Sequence, residues 1–383
     1  MPRGVRAGIV KVMIDDSNAR SSASQGGAVP IPVVAVVIPC FRVRKQILDV
    51  LRGIGPEVSL IYVVDDCCPE DSGSLVQAEC HDPRVRVLRN PENRGVGGAV
   101  VTGYAAALSD GADIVVKVDG DGQMDPKLLP RFIAPIIAGK ADYTKGNRFF
   151  SPESLRGMPP MRLFGNSGLS FVSKLGSGYW DIMDPTNGYT AIHRSALSLL
   201  PLDKIDPRYF FESDMLFRLS TVRAVVRDVS MPARYADETS SLQIRKVIFE
   251  FPPKYLRCMI KRAFYLYFLR DFNVASLQSV AGLMLTFFGL SYGGYHWLLS
   301  LLSGSPSPTG VVMLAALPMI LGFQLLLAAL SYDVGNIPRV PLSEVGFGKK
   351  SPGSVDGAPS TTLPRNDELA SRPCATSPTS EQA

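Results

Sequence analysis

The chain reads as an α/β protein: a mainly parallel sheet with helices on both faces, followed by an amphipathic interfacial segment and a two-helix transmembrane hairpin. Three observations predict this. Short β-branched apolar runs alternate with helix-like stretches between residues 33 and 118. Two of those runs end in carboxylates, Asp65-Asp66 and Asp119-Gly120-Asp121. Later, residues 274–302 and 310–332 carry no Asp, Glu, Lys or Arg, and each stretch exceeds the roughly 20 residues that cross hydrocarbon.

The elements follow in order. Residues 1–30, polar and without sustained periodicity, read as a flexible leader. Residues 33–39 form the first strand and 45–51 its helix; 60–64 and 85–88 are further strands, and 96–108 is a helix. The glycines of Asn93-Arg94-Gly95-Val96-Gly97-Gly98 invite a phosphate-loop reading, but neither a Gly-Lys-Ser/Thr ending nor Rossmann spacing follows. Close backbone packing at a helix start is the better account.

Residues 114–118 are the strand around which the chain is organised, because Asp119 and Asp121 stand at its carboxyl end with only Gly120 between them. Ligands of α/β sheets sit at that end, and paired carboxylates there suit Mg²⁺ or Mn²⁺ that also binds substrate phosphates. A solvated polar turn is the competing account of so short a motif. Further on, Arg148 and Arg162 are candidates to grip phosphate, with surface solvation or ion pairing as the alternative. Residues 209–217 read as a helix that turns Glu212 and Asp214 toward the same cleft, although acids are also favoured at helix starts.

A formal charge of +5, without any nucleic-acid-binding signature, argues against nucleic acid as a partner. Six cysteines without a C-x-x-C and three histidines argue against zinc. From Arg245 to Arg270 basic residues alternate with aromatic ones, as in an element lying on anionic lipid. Basic residues precede the first apolar stretch and follow the second, while residues 303–309 carry no charge, so the positive-inside rule places both ends of the hairpin in the cytosol. Tyr292, Tyr295, His296 and Trp297 then face the far interface. The expected divisions are 1–30, 31–243 (catalytic), 244–273 (juxtamembrane), 274–332 (hairpin) and 333–383, a mostly disordered cytosolic tail.

The ordered motifs Val37-Ile38-Pro39-Cys40-Phe41, Val63-Val64-Asp65-Asp66, Asn93-Arg94-Gly95-Val96-Gly97, Asp119-Gly120-Asp121-Gly122-Gln123, Gly146-Asn147-Arg148 and Asp184-Pro185-Thr186-Asn187-Gly188-Tyr189 resemble a membrane-anchored family 2 glycosyltransferase of the dolichyl-phosphate or polyprenyl-phosphate mannosyl/glucosyltransferase type. The resemblance covers about residues 33–342 and implies a GT-A, Rossmann-like catalytic fold. It also implies that Pro39, Phe41, Asp65 and Asp66 bind the nucleotide, that Asp119, Asp121 and Gln123 surround Mg²⁺ or Mn²⁺ and the donor diphosphate, and that Arg148, Arg162 and Arg234 contact phosphate. Asp184 joins the binding set through its motif. The acid common after the first-strand motif is replaced near Val43, and a later Ser-Lys appears as Ser240-Ser241. No Gln-x-x-Arg-Trp follows, which argues against a processive synthase.

The expected activity is inverting transfer of a hexose of the mannose or glucose class from a GDP- or UDP-sugar to polyprenyl phosphate, at the cytosolic face, for cell-envelope or surface-glycan synthesis. Asp119, Asp121, Arg148, Glu212 and Asp214 form the expected catalytic set. The partners are the nucleotide sugar, polyprenyl phosphate and membrane lipids, with homo-oligomerisation open; a bacterial chain of this kind belongs in the inner or plasma membrane. The alternatives are a glycosyltransferase acting on a lipid-linked glycan hydroxyl, a membrane-bound sugar nucleotidyltransferase and an inactive membrane scaffold.

Overall fold

The computed structural model describes residues 31–149, 160–232 and 244–344, with side chains of 160–164 and 244–248 excepted. The expected leader, Arg234, Ser240-Ser241 and the tail beyond residue 344 lie outside the described residues.

Seven strands form one sheet: β1 (Val34–Cys40), β2 (Leu60–Asp65), β3 (Val85–Arg89), β4 (Ile114–Lys117), β5 (Tyr143–Asn147), β6 (Thr190–His193) and β7 (Val226–Ser230). Their order is β3-β2-β1-β4-β6-β5-β7. Every pairing is parallel except those of β6, which runs antiparallel to both β4 and β5. The sheet is therefore mixed but mainly parallel.

The strands are apolar on both faces because helices cover both. In β1, Val34, Val36, Ile38 and Cys40 join the core beneath α1 (Ile47–Gly53) and α4 (Leu129–Ile137). Ala35 and Val37 face the core beneath α3 (Gly95–Ser109). The two-residue period of a strand makes this division. Helices α2 (Ser72–Glu79), α5 (Pro160–Ser177), α6 (Arg194–Leu197) and α7 (Phe211–Thr221) complete this part.

Its topology gathers one edge. The carboxyl ends of β1, β2, β4 and β5 point the same way, and the antiparallel β6 begins there, with Thr190 opposite Lys117. Residues that follow four strands and precede a fifth thus converge.

Helix α8 (Ile244–Phe264) packs on α5 and α7, where Phe251, Tyr255 and Cys258 surround Phe210. A π-helical turn, Tyr265–Arg270, leads to α9 (Val274–Ser303) and α10 (Thr309–Gly335). Asn273 starts α9 through a capping box with Ser276, and Gly304 ends it in the left-handed conformation that glycine tolerates. The two helices pack antiparallel, Gly282 against Gly322 and Leu326, and Gly289 against Ala315 and Met319. Small residues let the backbones approach, as helix pairs in lipid require. Both helices are long and apolar enough to cross a membrane. Phe287, Leu302 and Phe323 point outward from them, a surface suited to hydrocarbon rather than water.

The chain does not leave the fold after α10. Ile337 and Leu342 pack into the α3-side core, so the start of the expected tail is part of the structure.

Candidate active site

Lys117, the last residue of β4, is wholly buried, an unusual fate for a lysine. Its Nζ lies 2.7 Å from Asp119 Oδ1 and 3.3 Å from Glu212 Oε1, and it donates to the Gly188 carbonyl at 3.2 Å. Burial opposes the charge, but Asp119 and Glu212 outweigh it and hold the ammonium above its ordinary pKa. One buried cation thereby joins the end of β4, the turn before β6 and the first turn of α7.

Gly188 must be small. An added Cβ would stand 2.5 Å from Lys117 Nζ and 2.7 Å from Asp119 Oδ2. Asp121 lies on the next turn, where its Oδ1 accepts the Gln123 N–H at 3.0 Å and Gly122 takes a φ of +77°. Asp119, Asp121 and Gln123 therefore share one short loop at the ligand edge of the sheet.

No group of three or more His, Cys, Asp or Glu able to hold a metal occurs among the described residues. The donor set still suits a hard divalent cation that completes its shell with diphosphate oxygens and water, as Mg²⁺ commonly does. Asp119 Oδ1 is engaged by Lys117, while Oδ2 abuts the space that only a glycine leaves.

Arg148, after β5, is held by Asp184 through Nε to Oδ2 at 2.7 Å and Nη2 to Oδ1 at 3.0 Å. Asp184 is wholly buried while Arg148 stays about one-third exposed, at 34%. The structure thus places Asp184 behind Arg148, where it orients the guanidinium; the arginine is the one of the pair that faces solvent.

The acids of β2 are similarly occupied. Asp65 accepts the N–H groups of Cys68 and Gly73 at 2.8 and 2.9 Å, which closes the turn into α2. Asp66 accepts from Asn90 Nδ2 at 2.7 Å, Arg94 N at 2.9 Å and Gly95 N at 2.7 Å. It anchors the start of α3, so the glycines there serve packing: a Cβ on Gly97 would meet the Asp206 carbonyl and Phe211. Pro39 is half-buried and Phe41 exposed at the end of β1.

Glu212 belongs to the cluster through Lys117, whereas Asp214 does not. Asp214 is buried, pairs with Arg218 at 2.8 Å and accepts the Asp206 N–H at 2.9 Å. Arg162 lies on α5 without a described side chain.

Sequence reasoning missed Lys117, Gly188 and Lys145. Lys145 is buried in β5, donates to the Asn187 carbonyl at 2.5 Å, and burial pushes its pKa down to about 8. The lysine inside the apolar run Ile-Val-Val-Lys-Val-Asp was a readable signal, since a strand buried on both faces holds a lysine only with partners.

The family profile described as glycosyl transferase family 2 matches residues 35–200. A UDP-N-acetylglucosamine–dolichyl-phosphate N-acetylglucosaminyltransferase of Methanococcus voltae is 28% identical over 243 residues, which cover 60% of this chain and 96% of the relative. An undecaprenyl-phosphate mannosyltransferase of Micrococcus luteus is 32% identical over 215 residues, 53% of this chain and 84% of the relative. A solved structure of glucosyl-3-phosphoglycerate synthase from Mycobacterium tuberculosis is similar with a TM-score of 0.46 and 19% identity, covering 60% of this chain and 80% of that one.

Proposed function

The chain belongs to glycosyl transferase family 2, and from that premise we propose that it transfers a hexosyl group, with inversion, from a nucleoside diphosphate sugar to polyprenyl phosphate at the cytosolic face of a membrane. The observation that carries the proposal is the continuity between site and anchor. Glu212 sits in the Lys117 cluster, and its neighbour Ser213 bonds Tyr255 of α8 at 2.6 Å, the helix that leads into the two apolar spans. The named relatives act on lipid phosphates, and the same acceptor class suits a site tied so directly to a hairpin of this kind.

Asp119, Asp121 and Gln123 would hold Mg²⁺ or Mn²⁺, which when bound offsets the charge that develops on the departing diphosphate. Lys117 keeps the Asp119 carboxylate in place. Arg148, locked by Asp184, offers a planar cation suited to phosphate at the rim. A phosphate acceptor is already anionic near neutral pH and needs no strong general base, so Glu212 serves here to complete the Lys117 cluster.

The test is a panel of GDP- and UDP-sugars given to the membrane-reconstituted protein with polyprenyl phosphate. The panel includes mannose, glucose and N-acetylglucosamine, because the relatives differ in sugar. One donor should yield a glycosyl-phosphoryl-polyprenol of inverted anomeric configuration, and Asp121→Ala should lose that product while still inserting in the membrane. Transfer only to a soluble glycan would reject the lipid acceptor.

A further inference from the structure

Asp333 is the sole Asp, Glu, Lys or Arg in α9 and α10, and it stands in the last turn of α10. A carboxylate there is disfavoured by the helix dipole and by the neighbouring hydrocarbon. Its presence calls for a partner, and the structure supplies three. Arg262 of α8 grips it with Nη1 to Oδ1 at 2.8 Å and Nη2 to Oδ2 at 3.0 Å. Trp180, just after α5, donates Nε1–H to Oδ2 at 2.9 Å, and the Tyr267 hydroxyl donates to Oδ1. Arg262 also donates to the Leu175 carbonyl at 3.0 Å, and its guanidinium occupies the space a side chain on Gly178 would need. Both members of the ion pair are nearly inaccessible, at 6% and 9% side-chain exposure.

The chain beyond Asp333 continues the attachment. Asn336 accepts from Arg223 Nη2 at 3.2 Å, and the Leu342 N–H meets both oxygens of Asp142, at 2.9 and 3.0 Å. At the other end of the hairpin, Arg270 donates to the Thr221 carbonyl at 3.1 Å, and the Ser276 hydroxyl donates to the Tyr267 carbonyl. The start of the membrane hairpin is thus tied to the last residue of α7 and its end to α5 and to Arg223 just beyond α7, and α7 carries Glu212 at its opposite end.

We infer that Asp333, with Arg262, Tyr267 and Trp180, is a latch that fixes the height and tilt of the sugar-transfer site over the bilayer, making these four positioning residues for a membrane-embedded acceptor. A buried ion pair adds little net stability compared with apolar packing, but it accepts only one geometry. That property suits a joint whose task is alignment. The acceptor part of this inference rests on the lipid-phosphate reading above; the latch itself does not.

The experiment uses the full chain in nanodiscs and compares wild type with Asp333→Asn, and with Tyr267→Phe and Trp180→Phe, which each remove one hydrogen bond and leave the ion pair. Hydrogen exchange over residues 336–342 reads the latch directly; exchange in the variants should be faster, and unchanged exchange in all three overturns the latch. Transfer to a long-chain polyprenyl phosphate in the bilayer is then compared with transfer to a short-chain, water-soluble one. Loosened alignment should lower kcat/KM for the embedded acceptor by roughly tenfold and leave the soluble acceptor and the donor KM unchanged. Equal losses with both acceptors, or no loss with either, overturn the positioning role. Wild-type protein that uses neither acceptor defeats the lipid-phosphate reading and with it the positioning role, while the exchange result still judges the latch.

Discussion

At Gly188 the missing side chain is the functional feature. A methyl group there would press on Lys117 Nζ and Asp119 Oδ2 together. Gly188→Ala should therefore lower kcat/KM for the nucleotide sugar by at least about tenfold, through displacement of the Asp119 carboxylate proposed to hold the metal. Steady-state kinetics beside a melting curve check this, and unchanged turnover would remove Asp119 from its assigned place. Asp228 of β7 offers a different test. Burial, only partly offset by the Met183 N–H and the Asn147 amide, pushes its pKa up to about 6 from 3.8. Between those values the folded chain keeps a proton that the unfolded chain has released, so this group's contribution to stability falls as pH rises from about 4 to about 6. Asp228→Asn keeps the acceptor oxygen and removes the titration. It should be more stable than wild type at pH 7 by on the order of 2 kcal/mol, with the gain vanishing below pH 4. Denaturation at both pH values decides it.

Among the elements, α3 depends on Asp66, whose carboxylate receives two backbone N–H groups and the Asn90 amide at the helix start. Asp66→Ala should cost about 2–3 kcal/mol in a denaturant titration, as loss of a cap with buried donors does. If Asp66 served only as a nucleotide ligand, the variant would keep its stability and lose donor affinity instead. This ambiguity could not be resolved from the chain alone, because an acid at a strand end looks the same whether it faces a ligand or the next helix. Strands β1 to β4 were legible to within a residue or two, since runs such as Val-Val-Ala-Val-Val-Ile have no other stable placement than a two-sided core. Strand β5 was not. Tyr-Thr-Lys-Gly-Asn reads as polar, yet Thr144, Lys145 and Asn147 are buried, with hydrogen bonds to the Phe132 and Asn187 carbonyls and to Asp228. Burial of polar residues is set by partners far along the chain, and local periodicity does not report them. The acid pair of the site was legible for the opposite reason: its residues are separated by a single glycine, whereas Lys117, Gly188 and Glu212 meet only through the sheet order.

For the whole molecule, the hairpin sets the arrangement of everything else. Helices of 30 and 27 residues are about 45 and 40 Å long, more than the roughly 30 Å of hydrocarbon in a bilayer. Each is therefore long enough to span with residues to spare, and Arg262 meets Asp333 in the last turn of α10, at the near end of the hairpin. Because α9 and α10 are antiparallel and both near ends are bonded to the sheet-bearing part, the connection between them lies at the far end of the hairpin, and a hairpin that crosses the bilayer would carry it to the opposite side. That connection is Gly304 to Pro308, and it is uncharged, whereas Arg257, Lys261 and Arg270 lie beside the near ends. This charge distribution is the support for the proposed cytosolic orientation of the candidate active site. A cysteine introduced at exposed Ser305, in a background where the native cysteines are replaced, should react with a membrane-impermeant maleimide added outside intact cells. One introduced at exposed Glu79 of α2 should react only after the cells are opened. Reversed labelling would invert the topology, and labelling of both from outside would mean that α9 and α10 lie on the membrane without crossing it.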